Sequence, residues 1–352
     1  MNVPDYQDFY KLVRGSGPVR PLPGFWAFAP CHAGVVGGIP DLPRYYFDVD
    51  EKIRLQLKLK ELLPQTLVLP GVFPDFGVVA EVSAFGGQLV WLDNGAPFVH
   101  PSLSGTPAID SLRLPEPGKT GLTAPLLIQQ RLMKEKLEAR GLELEKWALT
   151  MGPAEVAGLL LGYDKFYLGF YQDYRRVKLL IEMATEFIIA WLKRQGEIFG
   201  GAEVIMIADH VCNQVSPEHL EELILPSLRA IFQEFSGPIT IYHNEGFHSD
   251  RHLELILGFG ADVWHFGSDV HDLKKLYAKI GDRIVLFGGV NPHGAIRHGS
   301  PQEVRAETLA ALEAARGRRI LLSTGTGTTP EASLENVRAM VETVARAGAT
   351  SS

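Results

Sequence analysis

From residue 200 onward, short runs of β-branched and aromatic residues alternate with longer segments in which apolar residues return every three or four positions. The short runs are VIMIA (204–208), ITIY (239–242), VWHF (263–266), IVLFG (284–288) and ILLST (320–324). Helix start signals lie between them. Ser216-Pro217 offers a cap followed by proline at the first helical position, and Ser300-Pro301-Gln302-Glu303 is a capping box. The first half adds FWAFA (25–29), TLVLPG (66–71) and WALTM (147–151), which brings the predicted strands to eight.

Strands buried on both faces and separated by helices predict a parallel sheet with right-handed crossovers. Eight such units in 352 residues predict an α/β fold of the (β/α)8 TIM-barrel type, as one domain over residues 1–352. An open doubly wound sheet usually carries a GxGxxG turn after its first strand, and none stands there. Residues 1–24 read as an N-terminal extension. Residues 73–145, with the turn-rich LDNGAPFVHPSLSGTP and LRLPEPGKTG, read as an elaborated loop after the second strand.

Composition narrows the partners. A net charge of −7, with no stripe of lysine and arginine, argues against nucleic acid. The first residues lack a signal-peptide core and the longest apolar runs fall far short of a membrane span, so a cytoplasmic protein is expected. Cys31 and Cys212 form neither a CxxC nor a disulfide framework. The oligomeric state stays open.

In a (β/α)8 barrel the active site occupies the face where strands end and helices begin. The residues after the predicted strands are markedly polar: Pro30-Cys31-His32, Pro74-Asp75, Asp209-His210 with Cys212, His243-Asn244-Glu245 with His248, Asp269, Asn291, and the run Gly325-Thr326-Gly327-Thr328. One reading is a shared pocket. The other is that these residues cap helices and make turns, although imidazoles are poor caps.

His243 and Glu245 are two apart, which in an extended segment turns both side chains to one side. Imidazole and carboxylate both suit zinc, whose catalytic sites keep three protein ligands and an open position. As a motif HxE is common by chance. Asp209, His210 or Cys212 could supply a third ligand or orient one. His265, inside VWHF, reads as a core residue. Gly325, Thr326 and Gly327 precede a helix starting near Ser333; they could receive an anionic group of a cofactor, or form a flexible turn. Tyr163, Phe166, Tyr167, Phe170 and Tyr171 make an aromatic cluster that reads as packing, with some of it available to line a pocket for a flat ring.

Several longer segments carry a resemblance. They are GPAEVAGLLLGYDKFYLGFYQD (152–173), AEVIMIADH (202–210), SPEHLEELILPSLRAIF (216–232), GFGADVWHFGSDVHDLKKLYAKIGDRIVLFGGVNP (258–292) and STGTGTTPEASLENVRAMVETV (323–344). In these the chain resembles the uroporphyrinogen decarboxylase superfamily, which includes cobamide-dependent methyltransferases. The resemblance implies the same barrel. The decarboxylase pattern itself is poorly kept: WAFAPCHAGVVGG has no arginine to receive substrate propionates, Thr326 stands for the histidine of the last strand end, and Asp75 only approximates the substrate-binding aspartate.

The methyltransferase branch is closer. Members that methylate a thiol carry His-x-Cys at one strand end and a second cysteine in the last; here His243 keeps the histidine, while Glu245 and Thr326 stand for the cysteines. A harder N/O donor set leaves zinc more electrophilic and better suited to polarising an oxygen. The resemblance thus implies a methyltransferase component of O-demethylase type, moving a methyl group from an aryl methyl ether to the cob(I)amide of a separate corrinoid protein. The expected catalytic residues are His243, Glu245 and Asp209, with His243, Glu245 and Cys212 on the metal. Glu81, His210 and Asn291 are expected at the small-molecule methyl donor. Corrinoid-linked methyltransferases for methanol, methylamine or methylthiol, a decarboxylase-like enzyme, and a non-catalytic corrinoid-binding barrel are the alternatives.

Overall fold

The computed structural model describes residues 5–350, apart from 18, 29–31, 39, 40 and 94. Ten strands occur among them: β1 (Leu22–Trp26), β2 (Leu67–Leu69), β3 (Gln88–Leu92), β4 (Gly95–His100), β5 (Trp147–Met151), β6 (Val204–Ala208), β7 (Ile239–Asn244), β8 (Val263–Phe266), β9 (Val285–Val290) and β10 (Ile320–Thr324). All but β3 and β4 are parallel, and each of these eight is followed by helix. This is the TIM-type α/β fold, and all eight predicted strands are present.

The first strand begins earlier than its predicted 25–29, because Leu22 and Pro23 already pair with Leu321 and Leu322 of β10. Pro23 and Gly24 suggest a turn in the sequence. Gly24 instead permits close approach, since a Cβ there would lie 2.7 Å from Cγ of Leu321. Ala29, Pro30 and Cys31 lie outside the described residues.

The chain forms two compact units. One comprises residues 1–72, 244–247 and 262–352. Within it β2, β1, β10, β9 and β8 pair in that order. Its core includes Phe25, Leu69, Phe287, Leu321 and Leu322. The expected N-terminal extension contributes a helix, Tyr6–Arg14, capped by Asp5 and closed by Gly15 in the left-handed region. Arg319 donates to the Val13 carbonyl and Tyr6 to that of Val68, tying this helix down. His265 is a core residue as read, fully buried and stacked on Phe287 with ring centroids 4.0 Å apart.

The other unit comprises residues 73–243 and 248–261. Here β5, β6 and β7 pair in parallel. Ile205, Ile207, Ile241 and Trp191 are buried in its core. The segment read as an elaborated loop has elements of its own: an antiparallel hairpin of β3 and β4, and a helix over Thr123–Glu138. Ser216 caps its helix as predicted, with Pro217 at the first turn. Farther along, Pro226 removes a backbone donor, and the preceding turn, Leu220–Ile224, widens into a π-helix.

Candidate metal centre

The end of β7 shows why an apolar strand runs into His-Asn-Glu. Alternation buries Asn244 completely, where its Oδ1 accepts from the Gly246 amide at 2.8 Å and its carbonyl accepts from Trp264 Nε1 at 3.2 Å. His243 and Glu245, on either side of it, share the other face. The Asp209 amide donates to the His243 carbonyl at 3.2 Å, which brings the ends of β6 and β7 level.

Nitrogen and oxygen ligand atoms of His210, His243 and Glu245 all lie within 4.8 Å of one another. The rings of His210 and His243 meet edge to face, 5.4 Å between centroids. His243 is 9% exposed, and His210 and Glu245 are half-buried. Two imidazoles and a carboxylate form a donor set that zinc accepts, with a coordination position left for a reactant. The third member of this cluster is His210, one of the three candidates for a third ligand, which the resemblance placed at the methyl donor.

Cys212 is not one of the three. It is fully buried in the short turn His210–Asn213, and burial, reinforced by the charge of Asp209, pushes its thiol well above the ordinary range. Asp209 is also fully buried. Its Oδ2 accepts from the Ala154 amide at 3.0 Å and its Oδ1 from the Val211 amide at 3.2 Å, so the carboxylate joins the helix after β5 to the turn after β6. Burial, with the nearby Glu155 charge, pushes Asp209 up to about 7. Gly152 makes room for it: a Cβ there would lie 2.3 Å from Oδ2.

Glu155, which sequence reasoning passed over, stands in the first turn of the helix Pro153–Leu161. Its Oε2 accepts from the His210 amide at 2.8 Å and lies 3.3 Å from His210 Nδ1, while Oε1 accepts from the Tyr163 hydroxyl. Burial alone would raise this carboxyl. The His210 contacts and the Tyr163 hydrogen bond outweigh it and hold Glu155 below its usual range. Tyr163 stacks on Tyr167, whose hydroxyl donates to Gln214 Oε1 at 2.6 Å, so part of the predicted aromatic cluster supports the turn after β6.

The remaining candidates have surroundings of their own. Glu81 is buried, and its Oε1 accepts from Thr150 at 2.9 Å and Trp191 Nε1 at 3.2 Å. Burial raises its carboxyl. Asn291 is half-buried and accepts from the His293 amide at 2.8 Å, as an Asx turn does. In the Gly/Thr run the Gly325 amide donates to Val290, and the hydroxyls of Thr324 and Thr326 donate to the carbonyls of Thr326 and Gly327. A Cβ on Gly325 would lie 2.1 Å from the Ser268 amide nitrogen, so this glycine serves a close backbone contact.

A TIM-type fold with polar strand ends defines a class that hosts many chemistries. The sequence matches the uroporphyrinogen decarboxylase (URO-D) family over residues 45–347, and the chain belongs to that family. Uroporphyrinogen decarboxylase of Aquifex aeolicus is 24% identical over 250 residues, 69% of this chain and 70% of its own. The methylcobamide:CoM methyltransferase MtaA of Methanosarcina barkeri is 28% identical over 196 residues, 54% of this chain and 55% of its own. Among solved structures, a methyltransferase from Methanosarcina mazei superposes with a TM-score of 0.79 at 23% identity, covering 96% of both chains. Among the described residues no helix is long and apolar enough to cross a membrane.

Proposed function

We propose that this protein is a corrinoid-dependent methyltransferase that takes a methyl group from an aryl methyl ether and delivers it to the cob(I)amide of a separate corrinoid protein. The observation that carries the reading is the convergence of His210, His243 and Glu245. The likeness to MtaA, whose name specifies methylcobamide, supports the corrinoid partner. The donor set, free of thiolate, supports an oxygen-bound methyl group.

Zinc held by these three residues would supply a Lewis-acidic charge beside the departing oxygen. In the transfer the methyl carbon–oxygen bond breaks, its electron pair leaving with the aryl oxygen, as a carbon–cobalt bond forms with the electron pair of the partner's cob(I)amide. The chain's own task is orientation. His243 is fixed within β7, Glu245 follows directly on its last residue, and His210 is held by its turn and by Glu155. Asp209 binds no reactant in this scheme; it keeps the ends of β5 and β6 together.

The MtaA relative also favours a second reading, in which the methyl group passes between methylcobamide and a thiol. One experiment covers both. The zinc-loaded protein is incubated with a cob(I)alamin-bearing corrinoid protein and methoxyaromatics, methanol, methylamines or methylthiols, while methylcobalamin absorbance is followed. Signal from methoxyaromatics supports the first reading, and signal from methylthiols alone supports the second. Absence of methyl-cobalt absorbance from every donor refutes both.

A further inference from the structure

Glu155 lies behind His210. Its carboxylate is one of the most enclosed acidic groups in its unit, 8% exposed at the side chain, and both of its oxygens are engaged. One oxygen receives the Tyr163 hydroxyl, which prevents the carboxylate from swinging away. The other receives the His210 main-chain amide at 2.8 Å and faces Nδ1 of the same residue at 3.3 Å. A single carboxylate oxygen thus addresses both the backbone and the ring of one histidine.

We propose that Glu155 is a positioning residue for His210, holding the imidazole in the tautomer with its proton on Nδ1 so that Nε2 presents its lone pair to a divalent cation. The inference rests on the metal-centred reading above. Its physical basis is general: a metal-binding histidine keeps its ring orientation and basicity through the hydrogen bond made by its other nitrogen. A neutral imidazole without such a partner divides its proton between the two nitrogens, and only one form can ligate through Nε2. Location agrees with the role. Glu155 sits in the first turn of its helix, where a carboxylate is favoured by the exposed amides and the helix dipole. Tyr163, at the start of the next helix, Tyr163–Gln172, reaches it through its hydroxyl.

A purely structural Glu155 would support the helix end and the His210 amide without affecting the ring. Two measurements separate these roles. In metal-free wild-type protein labelled with 15N-histidine, the long-range 1H–15N spectrum should show His210 protonated at Nδ1, the signal being assigned by its loss in His210→Ala. Zinc affinity, by competition with a chromogenic chelator, should fall about 10–100-fold in Glu155→Ala. Glu155→Gln, which retains an oxygen able to accept from Nδ1–H, should recover most of that loss.

Zinc affinity unchanged in Glu155→Ala, or a wild-type His210 protonated at Nε2, would overturn the proposal. The spectrum needs no Glu155 variant, so a Glu155→Ala protein that fails to fold leaves the test intact. Folded wild-type protein that takes up no zinc would overturn the metal-centred reading itself. Zinc bound by wild type, lost in His243→Ala and indifferent to Glu155 would overturn only the role given to Glu155.

Discussion

Gly267 packs directly beneath Glu245: a Cβ built on Gly267 would lie 1.9 Å from the Glu245 carbonyl oxygen and 2.8 Å from its carbonyl carbon. No side chain fits this gap without moving the backbone that carries Glu245, whose carboxylate is proposed to bind the metal. Gly267→Ala is therefore expected to displace Glu245 and weaken zinc binding by at least about tenfold, at a stability cost of about 1–3 kcal/mol. Chelator competition and urea unfolding measure the two effects. Wild-type zinc affinity in this variant would separate Glu245 from the site.

Gly152 has the corresponding place against Asp209, with a Cβ 2.3 Å from both Cβ and Oδ2 of that residue. Its φ of −73° is open to any residue, so the glycine is required for space alone. Gly152→Ala should cost about 1–3 kcal/mol by urea unfolding, by driving Asp209 off the Ala154 amide. A variant as stable as wild type would show that the two strand ends are less rigidly joined than these contacts imply.

The buried acid Glu81 offers a chemical contrast. Glu81→Ala leaves the Trp191 indole N–H without its acceptor and opens a cavity, for about 1–3 kcal/mol or more. Glu81→Gln keeps an acceptor for it and should stay within about 1 kcal/mol of wild type. Zinc affinity is expected to hold in both variants. Loss of zinc in Glu81→Gln would tie Glu81 to the metal.

His32 supplies a pH signature. It is 2% exposed, and burial lowers its imidazole to about 4, against a smaller opposing influence of the Phe28 backbone. The unfolded chain, with an ordinary histidine, takes up a proton here below about pH 6.5, and the folded chain does so only near 4. The contribution of His32 is thus fully present above about pH 6.5 and is lost as the pH falls toward 4, by up to about 3 kcal/mol. His32→Gln cannot take up this proton. Its urea stability should fall by about 2 kcal/mol less than that of wild type between pH 7 and 4.5. Equal losses in the two proteins would contradict this account.

Much of this was legible in the sequence because it depends on local pattern. Continuous apolar runs announce parallel strands whatever surrounds them, and the two-residue spacing of His243 and Glu245 fixes their common face. His210 was harder to place. It stands in a single tight turn, where neighbouring side chains diverge, so its spacing could not separate it from Asp209 and Cys212. Burial decides among them, and burial arises from tertiary packing. Glu155 follows β5 as closely as other candidates follow their strands, but in GPAEV it looks like an ordinary first-turn carboxylate. The hairpin of β3 and β4 was obscured by turn-forming residues in LDNGAP that also suit irregular loops.

The burial of Asn244 between His243 and Glu245 bears on misfolding as well as on function. On the proposed metal-centred reading, were β7 to slip by a single residue against β6, its whole side-chain pattern would invert, offering an amide to the cation and turning imidazole and carboxylate into the hydrocarbon interior. Such a molecule would be blind to metal from the moment of its assembly. The ladder of main-chain bonds that aligns these two strands is, in this respect, also the proofreader of the ligand set.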